Sequence, residues 1–92
     1  MQNNSEIFKA LASEPRLRIV KYLLEEDDYK CYCELNTIIE KDLSVIYRHF
    51  TKLEEAGILK TRKRGKKLEG KIKNPEEIEK MLKIARSVKN ES

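Results

Sequence analysis

Residues 42–57 read DLSVIYRHFTKLEEAG, and this stretch decides the fold. Asp42 is a side chain suited to cap a helix N-terminus, and Gly57 is the residue type that most readily turns left-handed just past a helix end. Between them Ile46, Phe50 and Leu53 recur at i, i+4 and i+7. One stripe of a helix from Leu43 to Ala56 therefore faces a core. On a helical wheel Ser44, Arg48, Thr51 and Glu55 fall opposite that seam, with Tyr47 on its flank. His49 lies about 60° from the seam and reads as a half-buried structural histidine.

Upstream, the segment from Cys33 to Ile39 carries Leu35, Ile38 and Ile39 as a shorter helical stripe. Two short helices joined by about three residues form a helix-turn-helix pattern. Nearer the N-terminus, Ile7, Phe8 and Leu11 mark an amphipathic helix over Ser5 to Ala12. Ser13-Glu14-Pro15 then supplies a cap, an acid and a first-turn proline, all favourable at a helix start. That helix runs to about Glu26 with Leu17, Val20, Leu23 and Leu24 inward, and the acids Glu25 to Asp28 oppose its macrodipole and end it. Downstream, Ile58–Thr61 and Leu68–Ile72 are short β-segments with Gly65 at the turn between them. Asn74-Pro75-Glu76-Glu77 opens a last helix whose apolar face is Ile78, Met81, Leu82, Ala85 and Val88.

This order predicts a mainly α (α+β) winged helix-turn-helix of about five helices and a two-stranded β-hairpin wing. It makes residues 1–92 a single domain, with the helix-turn-helix at about 33–56, the wing at about 58–73 and a C-terminal dimerisation helix at about 75–89. Ninety-two residues leave no room for a second core. No apolar run reaches the roughly 18 residues of a membrane span, and no signal-peptide core stands at the N-terminus, so a cytoplasmic protein is expected. A single His, no Gly-rich phosphate loop, no GxSxG and no HExxH leave little from which to build an enzyme.

The chain carries 20 Lys and Arg against 16 Asp and Glu, a net charge of +4. Lys60 to Lys73 alone holds eight basic residues and one acid, Glu69, a local +7, so the remainder is net acidic. Charge gathered on one hairpin directly after a helix-turn-helix is what phosphate contact needs. Arg62, Lys63, Arg64, Lys66 and Lys67 are therefore expected to meet the DNA backbone. Ser44, Tyr47, Arg48 and Thr51 are expected to meet phosphates or base edges. Glu55 would repel phosphates, which favours the N-terminal half of the reading helix.

Several stretches then resemble the ArsR/SmtB family of bacterial and archaeal metal-responsive repressors. FKALASEPRLRIV (Phe8 to Val20) is similar to the family's "ALadptRlrIL" opening. Glu34-Leu35 with Tyr47-Arg48-His49-Phe50 fits its "EL … SrHL" spacing, and LEEAGIL (Leu53 to Leu59) its "LreaGLv" entry to the wing. The resemblance covers roughly Ile7 to Ala85. It implies a homodimer formed through the first and last helices, double-stranded operator DNA as partner, and release when an inducer binds. Three departures stand out. Glu40 occupies the turn where the family often has Gly, and Leu43 and Val45 stand where polar base-reading residues are common.

The segment Cys31-Tyr32-Cys33-Glu34-Leu35 is similar to the "CVCDL" metalloid segment of the arsenic-sensing branch. Thiolates suit soft ions such as As(III), Cu(I), Cd(II) or Zn(II), which makes Cys31 and Cys33 the candidate metal ligands. Positions i and i+2 of an α-helix diverge by about 200°, so both sulfurs reach one ion only if the helix starts late or its first turn distorts. The third Cys of the pattern would fall at Asn36. Three-coordinate As(III) is thus disfavoured, and two-coordinate Cu(I), or a divalent ion completed by Asp27, Asp28 or water, remains. Residues 74–90 contain no His, so the family's other metal site is not expected. Two cysteines this close make no disulfide framework and read as thiols or ligands. The bland alternative packs Cys31 inward and leaves Cys33 an ordinary thiol.

For the dimer, Ile7, Phe8 and Leu11 are expected to meet Ile78, Met81, Leu82 and Ala85 across a two-fold axis, presenting two reading helices to half-sites one DNA turn apart. Competing readings are a ligand-independent or thiol-redox-responsive regulator, and a winged-helix module whose basic hairpin contacts acidic protein.

Overall fold

The computed structural model describes residues 4–39 and 41–91, with side chains described through residue 84. The first two helices, α1 (Asn4–Leu11) and α2 (Glu14–Leu24), are separated by a tight turn at Ser13. The Ser13 hydroxyl accepts from the Arg16 N–H at 3.5 Å and Pro15 sits in the first turn, as the cap-acid-proline order predicts. A short strand β1 (Lys30–Cys31) then leads straight into a 3-10 helix (Tyr32–Thr37). The reading helix α3 (Leu43–Glu55) follows, then β2 (Leu59–Arg64), β3 (Lys67–Ile72) and the last helix α4 (Pro75–Glu91).

Asp42 occupies the α3 N-cap with extended backbone, although its side chain makes no cap hydrogen bond. At the other end Gly57 has φ +83°. Its N–H bonds to the Glu54 carbonyl at 2.9 Å and that of Ile58 to the Leu53 carbonyl at 3.0 Å. This is the Schellman arrangement, which satisfies the last helical carbonyls and turns the chain into β2. The α4 start behaves as expected too: Asn74 Oδ1 accepts from the Glu77 N–H at 3.4 Å.

The hairpin of β2 and β3 runs antiparallel from Leu59 opposite Ile72 to Arg64 opposite Lys67. Gly65, with φ +65°, leads its two-residue turn, as a type II′ connection requires. The wing gains a strand that the sequence reading did not foresee. β1 pairs with the outer edge of β3, Lys30 opposite Gly70 and Cys31 opposite Glu69, so the sheet has three strands in the order β1-β3-β2.

One core joins these layers. Ile19, Val20 and Leu23 of α2, Leu35 and Ile39, the seam Ile46, Phe50 and Leu53, and Ile58, Leu59, Leu68 and Ile72 of the wing root are all buried in a single cluster. Ile7, Leu11, Ile78 and Met81 belong to it as well. These four, expected at a dimer interface, are taken up by the chain's own core, because α1 and α4 turn their main apolar stripes inward. What remains outside is Phe8, 40% exposed, Ile84, 56% exposed, and the half-buried Leu82. Ala85 lies outside the residues whose side chains are described, and Glu40 outside the described residues altogether. Among the described residues, no helix is long and apolar enough to cross a membrane.

Candidate nucleic-acid interface

The outward face of α3 is open. Ser44, Tyr47 and Arg48 are exposed and Thr51 is half-exposed, while Ile46, Phe50 and Leu53 behind them are fully buried. Among the described residues none covers the surface that a reading helix must present. Thr51 is partly committed, because its hydroxyl donates to the Tyr47 carbonyl one turn back at 3.1 Å, which leaves its lone pairs rather than its proton for a ligand. Leu43, one turn before Tyr47 on the flank of that face, is also exposed because it stands at the helix start. The sequence reading had not placed it among the contact residues.

His49 is half-buried, as its angle from the seam implied. Its Nδ1 accepts from Arg16 Nη1 at 3.3 Å, while Arg16 Nε donates to the Ala10 carbonyl at 2.8 Å. One guanidinium thus ties α1, α2 and α3 together. Burial, and then the positive charges of Arg16, Arg48, Lys41 and Lys52, push the His49 pKa below the ordinary 6.5. A neutral ring is also what the hydrogen bond needs, since only it keeps a lone pair on Nδ1.

The wing divides into a bound root and a free tip. Lys63, Arg64, Lys66 and Lys67 are exposed, and among the described residues no acid pairs with them. Arg62 differs. Its Nε donates to Glu69 Oε1 at 2.8 Å across the strand pair, and its guanidinium lies 4.0 Å from the Tyr29 ring centroid, with Lys71 Nζ 5.3 Å from the same ring. Arg62 therefore pins the segment before β1 onto the hairpin. Tyr29 carries no motif that could have announced this role, which depends on the β1–β3 pairing. At the other side of the wing the Thr61 hydroxyl donates to the Glu54 carboxylate, joining β2 to the end of α3.

The cysteines sit where β1 passes into the 3-10 helix, and here the structure corrects the expectation of free thiols. Their sulfurs are bonded to each other. Cys31 is still extended at the end of β1 and Cys33 lies in the first 3-10 turn, so the two side chains converge instead of diverging as on an α-helix. Late helix onset is the condition the spacing demanded. The turn is closed by a reciprocal cap: Cys33 N–H donates to Cys31 Sγ at 3.2 Å and Cys31 N–H to Glu34 Oε2 at 3.0 Å. Cys31 is 7% exposed and Cys33 is half-exposed. Among the described residues no three His, Cys, Asp or Glu gather in a cage, so neither Asp27 nor Asp28 completes a site with the pair. Between the cysteines, the Tyr32 ring meets the Tyr47 ring edge-on at 5.3 Å and Phe50 at 6.4 Å. The cysteine segment and α3 are in direct contact through that ring.

Comparison with known proteins matches this architecture. The chain is 44% identical over 61 residues to the arsenical resistance operon repressor of Escherichia coli, covering 66% of this chain and 51% of that one. It is 36% identical over 70 residues to the cadmium resistance transcriptional regulatory protein CadC of Listeria innocua, covering 76% and 58%. The chain thus spans about half the length of the curated relatives it matches. In fold it superposes with a TM-score of 0.73 on the homodimeric winged helix-turn-helix DNA-binding domain of Mb0332 from Mycobacterium bovis, at 21% identity, over 95% of this chain and 78% of that one. The structural likeness shows the fold, and the two sequence relatives favour the DNA-binding reading over a protein-interaction module. The sequence profile of the bacterial regulatory protein arsR family matches residues 13–61, from the α2 cap through the reading helix into the wing, and with more than half of its length so matched the chain belongs to that family.

Proposed function

We propose that this chain is the DNA-binding part of a homodimeric transcriptional repressor that acts on operator DNA in the cytoplasm and is released by a soft metal or metalloid. One observation carries the proposal: an exposed α3 face and a wing tip whose cations have no acidic partner among the described residues project from the same compact core. In this reading Ser44, Tyr47 and Arg48 enter the major groove, with Thr51 at the margin. Lys63, Arg64, Lys66 and Lys67 follow the phosphates, and Arg62 chiefly holds the wing in shape. Phe8, Leu82 and Ile84 supply the apolar surface for the second copy.

Release would act through Cys31 and Cys33. Exchange with two equivalents of a small thiol reductant, which leaves as its own disulfide, would free both sulfurs as two soft donors two residues apart, a set that suits two-coordinate Cu(I) or an ion completed by solvent. With no third thiolate, the pair does not suit three-coordinate As(III). A bound soft ion supplies charge neutralisation and a fixed sulfur–sulfur span at the start of the 3-10 helix. The protein's own part is Tyr32, which would carry a change in that turn to Tyr47.

Selection of duplexes from random DNA, followed by salt titration of the winner, tests the reading. Specific binding weakens steeply with salt yet survives excess random competitor. Replacing Arg64 and Lys66 by Glu lowers affinity for every duplex, whereas Arg48→Ala also relaxes sequence preference by about 1–3 kcal/mol at one base pair. Titrating reduced protein with soft ions gives ultraviolet thiolate-to-metal absorbance that vanishes in Cys33→Ser. Operator affinity indifferent to every ion tested would remove the sensing part and leave the DNA-binding part standing.

A further inference from the structure

The described residues expose four large apolar side chains: Phe8, Ile84, Leu43 and Tyr47. The first two sit on α1 and α4. Leu43 and Tyr47 are 42% and 39% exposed and lie one turn apart on α3, so they share one face and form a small apolar ridge at its N-terminal end. Leu43 is not part of the core cluster, and the ridge borders the polar face that carries Ser44 and Arg48, a surface otherwise suited to a polyanion.

Tyr47 is held in place. Its ring meets Tyr32 edge-on at 5.3 Å, and Tyr32 in turn packs near the fully buried Phe50. The ridge is therefore built on a rigid support. Arg48 beside the ridge, with the cations of the wing tip, selects a negatively charged partner, whereas the ridge selects an apolar spot on that partner. On duplex DNA the major groove offers one such spot, the 5-methyl group of thymine. It is met by side chains near the N-terminus of an inserted helix.

We infer that Leu43 and Tyr47 read thymine methyl groups, so that the preferred half-site carries thymine at the one or two positions under the start of α3. The inference rests on the DNA-binding reading. It assigns part of the sequence preference to apolar contact rather than to hydrogen bonds.

Replacing thymine by uracil, one position at a time, in the selected duplex tests it. Uracil removes only the methyl and keeps every hydrogen-bonding edge. Wild-type protein is expected to lose roughly fourfold in affinity per methyl at the read positions, the scale of one buried carbon, with an unchanged salt slope. Leu43→Ala should bind the thymine duplex more weakly and no longer distinguish thymine from uracil at the position that Leu43 reads. Circular dichroism should show the variant folded, since Leu43 packs at the surface. Tyr47→Phe should keep the discrimination. Equal binding of thymine and uracil duplexes by wild-type protein overturns the inference while duplex binding stands. A Leu43→Ala protein with unaltered affinity and discrimination also overturns it, and would free the ridge for a protein partner. Absence of any salt-dependent duplex binding sinks the DNA-binding reading itself.

Discussion

Gly70 shows how one position can set the seat of the wing. It lies mid-sheet, paired with Lys30 on one side and Thr61 on the other. A Cβ there would stand 3.0 Å from Phe50 Cε2 and 3.4 Å from Leu59 Cδ1. Phe50 is fully buried and has nowhere to swing, so the sheet could not rest this closely on α3. Gly70→Ala should lower unfolding stability by about 1–3 kcal/mol, the usual cost of overpacking, measured by urea denaturation. His49 makes a second prediction at this scale. Its folded pKa is depressed, so its stabilising contribution is complete above the unfolded value of 6.5 and is lost as pH falls through and below it. In that window the unfolded chain binds the proton that the folded chain refuses. Urea midpoints of wild type should therefore drop on acidification from neutrality more than those of His49→Gln.

Among the elements, the wing does two jobs with similar residues. Arg62 spends its charge on Glu69 and Tyr29, whereas Arg64 and Lys66 at the tip have no acidic partner among the described residues. If the tip follows phosphates, Lys66→Gln should flatten the salt dependence of duplex binding by about 0.9 in log–log slope, the value of one phosphate contact. Arg62→Gln should change the slope less. The 3-10 helix is the other element with a double role, since it ends β1, orients both cysteines and places Tyr32 against Tyr47. Removing that ring in Tyr32→Ala should cost about 0.5–1.5 kcal/mol beyond the lost area. It should also weaken operator binding without altering the salt slope, a pairing of effects that fluorescence anisotropy with denaturation can read.

For the molecule as a whole, the partition of apolar surface matters most. Ile7, Leu11, Ile78 and Met81 close the monomer's own core, leaving Phe8, Leu82 and Ile84 as the surface that the proposed second copy would cover. Replacing Phe8 and Ile84 by Glu should shift sedimentation from dimer to monomer and weaken operator binding, because two half-sites would no longer be engaged together. Far-ultraviolet circular dichroism should stay close to wild type, as both side chains lie outside the core.

Much of this molecule was legible in order along the chain. The α3 seam of Ile46, Phe50 and Leu53, the turn glycines Gly57 and Gly65, the Ser13 and Asn74 starts and the cationic hairpin all rest on interactions within a few residues, where spacing and side-chain chemistry suffice. The open face of α3 was equally readable, because a helix that buries one stripe must present the opposite one. Tertiary structure alone decided the rest. β1 is two residues long and exists only because the edge of β3 is there to receive it. Tyr29 finds Arg62 beside that junction, and Tyr32 finds Tyr47 between the 3-10 helix and α3. Convergence of Cys31 and Cys33 depended on where the 3-10 helix begins. An amphipathic pattern tells which face of α1 or α4 is apolar, yet whether that face meets the chain's own core or a second copy depends on how the other elements have filled the space between.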